Sequence, residues 1–195
     1  MKVLILSKTR YGNNSVCIGG LVIENNQYVR LLDEDGDYQQ INTEFKIGEI
    51  WNISFIESNQ LTEPHNEDIK VQEAEYVEQL NDTLSFLKLS GIEIWENNLE
   101  NSFERNLSWT GNGSGYITKK DIPTNSVGFW TCNEDLKYDG EYYLYKNIRL
   151  KYKGLRKAKN IIAKGTLIRL SLAKWWNSDG EMEDRCYLQL SGWYD

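Results

Sequence analysis

Residues able to hold an anion or a flat ring concentrate in the last third of the chain. Two runs alternate, Leu167 to Trp176 and Arg185 to Tyr194, with a turn-rich segment between them. Successive side chains of a strand point to opposite faces. One face then carries Ile168, Leu170, Leu172, Trp176, Cys186, Leu188, Leu190 and Tyr194, and reads as core. The other carries Arg169, Ser171, Trp175, Tyr187, Gln189, Ser191 and Trp193. A solvated face seldom holds so many large rings, so this face either recognises a ligand or lies under a second layer of the domain. Upstream, Ile148, Leu150 and Tyr152 alternate with Arg149, Lys151 and Lys153, and Arg156 and Lys157 follow. Single-stranded nucleic acid is held by such a combination, cations taking phosphates and aromatic rings stacking on bases. Arg149, Lys151, Lys153, Arg156 and Lys157 would form the phosphate track, with Trp175, Tyr187 and Trp193 as stacking platforms. Arg169 and Gln189 would bond base edges. Lysines along a strand also have an ordinary structural role, blunting an edge against aggregation.

Other candidates carry less. Gly111-Asn112-Gly113-Ser114-Gly115 has three alternate glycines, and such loops can offer backbone N–H groups to phosphate. Here no strand-to-helix context and no following Lys-Ser/Thr accompanies them, so a tight turn or close backbone contact is expected instead. Pro64-His65-Asn66-Glu67-Asp68 places a titratable base beside two carboxylates. Acid–base catalysis needs a partner for that base, and no nucleophile motif is present. Cys17, Cys132 and Cys186 are scattered, and with His65 the sole histidine no ligand spacing supports a zinc site. The cysteines read as small buried hydrophobes in a reducing compartment. No metal, cofactor or catalytic residue is indicated, and an enzyme is the least supported class.

The net charge of −7 over 195 residues argues against a chain that coats nucleic acid indiscriminately. Between Lys137 and Lys174, however, eleven basic residues face only Asp139 and Glu141. A local field of that kind steers an anionic ligand whatever the total charge. No apolar run is long enough for a signal peptide or a membrane span, so a cytoplasmic location and no membrane contact are expected.

These side chains must be positioned by strands. Lys2 to Arg10, Val16 to Glu24, Tyr28 to Asp33 and Ile47 to Ile56 are short apolar or alternating runs bounded by turn residues, the mark of a small barrel or sandwich. Val77, Leu80, Leu84 and Leu87 then fall three and four apart before Gly91, which predicts a helix of about four turns. Ile92, Trp95, Leu99 and Phe103 continue that spacing into a second short helix. Strand signals return at Gly128 to Cys132, Glu141 to Tyr145 and Ile148 to Leu155, followed by the two final runs.

Taken together, several stretches resemble the bacterial dual OB-containing domain family. They are Lys2 to Arg10 with Cys17-Ile18-Gly19-Gly20, Arg30-Leu31-Leu32, Ile47 to Trp51, Pro64-His65 with Asp68, Gly113 to Tyr116, Phe129-Trp130, Arg169 to Ala173 with Trp175-Trp176, and Arg185 to Tyr194. The resemblance implies a mainly β fold: two small OB-like antiparallel barrels with an intervening helical segment. The expected division is residues 1–75, an N-terminal OB-like domain; 76–104, a helical connector; and 105–195, a C-terminal OB-like domain. It also implies nucleic-acid or nucleotide binding, with a place in bacterial defence systems, and transfers no catalytic residue. One departure stands out. OB barrels place their helix between the third and fourth strands, whereas the predicted helix follows a fourth.

The leading functional expectation is a non-catalytic module for single-stranded DNA or RNA. The alternatives are a sensor of a nucleotide or small anion, and a protein-interaction subunit that serves an effector protein through the acidic segment from Glu57 to Glu104.

Overall fold

The computed structural model describes residues 1–58, 61–177 and 183–195. The chain forms two compact units, Met1–Thr62 with Asn66–Ile92, and Glu63–His65 with Glu93–Asp195.

The first unit contains β1 (Lys2–Tyr11), β2 (Ser15–Val22), β3 (Tyr28–Leu32), a short β4 (Gln39–Gln40), β5 (Glu49–Glu57) and β6 (Asp68–Gln79), then helix α1 (Thr83–Leu89). β1 pairs antiparallel with both β2 and β5, β2 with β3, and β5 with β6. β6 returns parallel to β3 and closes the ring. Setting aside β4, the five strands follow the order 1-2-3-5-4-1, the arrangement of an OB barrel. Gly20 lets β1 and β3 pack closely on β2: a Cβ there would lie 2.4 Å from Val3 Cγ1. At the parallel join Arg30 stands in register with Asp68, and both are buried. The guanidinium is bonded to Asp68 and lies 3.7 Å from Glu67. Paired charges are the form in which a guanidinium tolerates such burial.

The helical reading of residues 77–87 needs correction. β6 runs through Gln79, pairing with β5 over nine positions, and the helix is confined to Thr83–Leu89. Asp82 sets its start by accepting a hydrogen bond from Ser85 N at 2.8 Å, and Gly91 follows with φ +80°. Val77 and Leu80 mimic a helical stripe because a strand and a helix abut there. Cross-strand pairing over nine residues outweighs the weak local preference. The second expected helix is instead β7 (Ile94–Asn97) and two 3-10 turns, Leu99–Asn101 and Phe103–Arg105. The helical segment between the sheets exists but is short.

The second unit adds β8 (Ser108–Trp109), β9 (Gly115–Ile117), β10 (Val127–Cys132), β11 (Leu136–Tyr138), β12 (Tyr142–Tyr145), β13 (Ile148–Tyr152), β14 (Ile161–Ile162), β15 (Leu167–Leu172) and β16 (Cys186–Tyr194). β10 and β11 are one run broken at residues 133–135. β10 pairs with β15 and β11 with β12, so the run meets both ends of the order β12-β13-β16-β15. β13 and β16 are parallel, as β3 and β6 are in the first unit. The strand order of the first barrel is thus repeated. Aromatics fill the core: Trp130, Tyr143, Tyr145, Phe103 and Trp193 pack with Leu150, Leu170 and Leu190. Among the described residues no helix is long and apolar enough to cross a membrane.

Candidate functional site

A groove of about 520 Å³ opens on the outer face of β12, β13 and β16. Register builds it. Tyr142 on β12 stands opposite Lys151 on β13, Lys151 opposite Gln189 on β16, and Gln189 opposite Ser171 on β15. Arg149 and Lys153 lie two residues to either side of Lys151 on the same face, and all three cations line the groove. Trp176, Tyr187 and Tyr142 supply its rings.

The three cations have different surroundings. Arg149 lays its guanidinium 3.6 Å over the Tyr142 ring, and its Nε is buried with no hydrogen-bond partner among the described residues. Lys151 pairs with Glu141 at 2.8 Å, and that bond raises its pKa. Burial pushes the pKa of Lys153 down, and the charge of Lys151 adds to the effect. An arriving anion would offset the repulsion from Lys151 and favour the charged form of Lys153. Opposite, the Trp176 and Tyr187 rings lie 6.1 Å apart, and Trp176 is 56% exposed. Arg185 stands 4.2 Å over the neighbouring Tyr116 ring.

Of the residues singled out from sequence, the groove collects Arg149, Lys151, Lys153, Tyr187 and Gln189. Arg156 and Lys157 are exposed outside it, and Arg156 reaches Asp195 at 3.4 Å. Trp175 is half-buried and donates its indole N–H to the Glu63 carbonyl at 2.7 Å. Arg169 and Trp193 are each only 4% exposed.

Trp193 is therefore not on the polar face, and a β-bulge is the reason. β15 and β16 pair regularly from Leu172↔Leu188 to Leu170↔Leu190, then shift so that Arg169 meets Gly192. Ser191 is the extra residue, and one extra residue reverses which face each later side chain occupies. Trp193 turns into the core, 5.4 Å from the Tyr152 ring, while Tyr194 turns to the other side, 5.7 Å from Phe129. Trp176 is the converse correction, expected in the core and found in the groove. β15 ends at Leu172, so its alternation does not extend to Trp176, which bonds Arg185 through the backbone at the neck of the hairpin. Gly192, inside an otherwise regular strand, is the signal that marks such a bulge in a sequence. Tyr142 was missed because a single tyrosine in the run EYYLY is not distinguished from its neighbours.

The remaining candidates resolve into structural roles. His65 is 3% exposed, with Nε2 at 3.1 Å from the Ala173 carbonyl and 3.8 Å from Cys186 Sγ. A carbonyl only accepts, so Nε2 carries the proton and cannot take one from the thiol. Burial pushes the Cys186 thiol up to about 12, opposite to what a nucleophile needs. Gly113 has φ +83°, and a Cβ on it would fall 2.0 Å from the Asn147 carbonyl. Its N–H bonds Thr110 O, and Ser114 N–H bonds Thr110 Oγ1. These donors stabilise a tight loop against β13, as expected.

The repeated 1-2-3-5-4 order, with a charged and aromatic groove on the second sheet, defines a tandem OB-type β protein. A family model for the dual OB-containing domain matches residues 1–157, and the chain belongs to that family. The match takes in Tyr142, Arg149, Lys151 and Lys153 but ends before β14, β15 and β16. No curated protein matches the chain.

Proposed function

We propose that the groove of the second unit binds single-stranded nucleic acid. The observation that carries this reading is the convergence of three cations and three aromatic rings on one groove, from β12, β13, β16 and the residues that follow β13 and β15. By their place in the strand order, β12 and β13 correspond to the second and third strands of an OB fold, whose face holds oligonucleotides and oligosaccharides. Alternate residues of a strand lie about 6.8 Å apart, a repeat suited to successive phosphates of an extended strand. Arg149, Lys151 and Lys153 then take phosphates, bases stack on Trp176 and Tyr187, and the Gln189 amide bonds a base edge. Arg156 and Lys157 are exposed to flanking phosphates, and Trp175 lies outside the groove. Arg169 and Trp193, being buried, act through folding and not by touching the ligand.

Binding of a fluorescent oligonucleotide to the full chain tests this. Trp176→Ala should weaken it by about tenfold or more, the cost of one stacked base. Arg149→Ala should reduce the steepness of its salt dependence by about 0.7 in the log–log slope, the value of one phosphate contact on a single strand. Absence of binding to DNA and RNA single strands at low salt overturns the proposal, because phosphate contacts are strongest there.

The size of the groove supports a second reading. About 520 Å³ is the scale of a small-ligand pocket, which suits a nucleotide or small anion. Affinity that stops rising beyond one nucleotide would select the sensor over the single-strand binder.

A further inference from the structure

The first unit leaves one strand edge open. β6 pairs with β5 from Ile69 to Gln79, but with β3 only at Asp68, Ile69 and Lys70. Beyond Lys70 no strand among the described residues pairs with that second edge, and residues 72–79 are exposed. The open stretch, Val71 to Gln79, reads VQEAEYVEQ, with three glutamates and no cation. Bulges at Gln72 and Val77 bracket a regular run from Glu73 to Tyr76. Tyr76 and Val77 on β6, with Phe55 and Ile56 on β5, expose apolar surface along the same ribbon.

Beside this run lies a pocket of about 300 Å³, lined by Ala74 of β6 itself. The buried rings of Phe45 and Trp51 contribute to it, as do Asp33, Glu44 and the polar Gln39, Gln40, Asn42 and Thr43, while the Lys8 ammonium is bonded to the Thr43 and Phe45 carbonyls. Two rings set among two acids and several hydrogen-bonding side chains suit an aliphatic stem that ends in a cation.

We infer that this edge takes an extended, positively charged segment of a partner protein by strand addition, with one arginine or lysine seated in the pocket. Main-chain hydrogen bonds to an open edge supply affinity in such complexes, and a pocket for an alternate side chain supplies specificity. A second copy of the same strand is disfavoured, because glutamates would face glutamates. Nucleic acid is disfavoured by the same charge. The surface lies on the first unit and does not depend on the groove of the second.

The test uses the full chain and a fluorescent octapeptide of alternating arginine and valine. A control peptide has the same sequence with the backbone nitrogens of one edge methylated, which keeps the charge and removes the donors. The control should bind at least about tenfold more weakly, the loss expected from one or two main-chain hydrogen bonds. Glu44→Lys and Glu75→Lys, both exposed positions, should each weaken the parent peptide by about tenfold. Amide exchange across residues 71–79 should slow when the parent peptide is bound. Equal affinity for the two peptides would reduce the effect to charge attraction and overturn the inference. So would no binding at all, or exchange at residues 71–79 that the peptide leaves unchanged.

Discussion

Trp193 stands in a cage of rings, 6.0 Å from Tyr143 and 5.4 Å from Tyr152, with Arg156 lying 5.1 Å over it from outside. Truncating so large a buried side chain removes its transfer energy and leaves a cavity. Trp193→Ala should therefore cost about 3–5 kcal/mol, read as a lowered urea midpoint. Trp176→Ala, at an exposed position, should leave that midpoint nearly unchanged. The two tryptophans thus separate stability from binding. The cationic half of the site was legible because Arg149 and Lys151 alternate along β13 and Lys153, just past its end, keeps the same spacing. Its aromatic half was not. Parity counted from the sequence is valid only as far as the strand is regular, and both tryptophans lie beyond an irregularity.

At the scale of elements, the loop from Gly111 to Gly115 supports β13. Its Gly113 carbonyl accepts the Arg149 N–H at 3.0 Å, which places the strand end that carries the first groove cation. Gly113→Ala would demand a left-handed residue whose Cβ meets a backbone carbonyl, and backbone cannot swing away as a side chain can. A loss of more than about 1 kcal/mol is expected in urea unfolding, together with weaker oligonucleotide binding. Gly111, whose added Cβ meets nothing within 4 Å, supplies the control: Gly111→Ala should change neither measurement. Three glycines at equal spacing look alike in the sequence. The left-handed φ and the approach of the Asn147 carbonyl, thirty-four residues away, distinguish the middle one. β6 was misread for a related reason. Its acidic, largely exposed second half lacks the alternation by which a strand is recognised, and its pairing with β5 is what makes it one.

For the molecule as a whole, carboxylates in both units are held below their usual range by specific bonds. Backbone N–H groups lower Glu24 and Asp82 in the first unit and Asp139 in the second, while Lys119 lowers Asp184 and Lys159 lowers Asp195. A depressed folded-state pKa contributes stability that is fully present above the unfolded value and lost as pH falls through the folded one. The melting temperature should hold from neutrality down to about pH 5, then fall as these carboxylates protonate below their unfolded values near 4. A melting temperature independent of pH between 5 and 2.5 would contradict these assignments. The same scale holds the charge asymmetry: a net −7 chain concentrates its cations between Lys137 and Lys174, and three of them meet in the groove.

By itself the sequence determined the mainly β class, the tandem barrels through their family stretches, the strands β1, β2, β3 and β5, and the cationic face of β13. Each of these is written in local pattern, where period and composition act over a few neighbouring residues. Tertiary structure alone decided that residues 77–79 extend a strand, that Ser191 bulges, and that Trp176 and Trp193 occupy opposite environments. Those outcomes follow from register between strands distant in the chain. A shift of one residue in register turns a core side chain outward without any change in the amino acids that surround it in sequence.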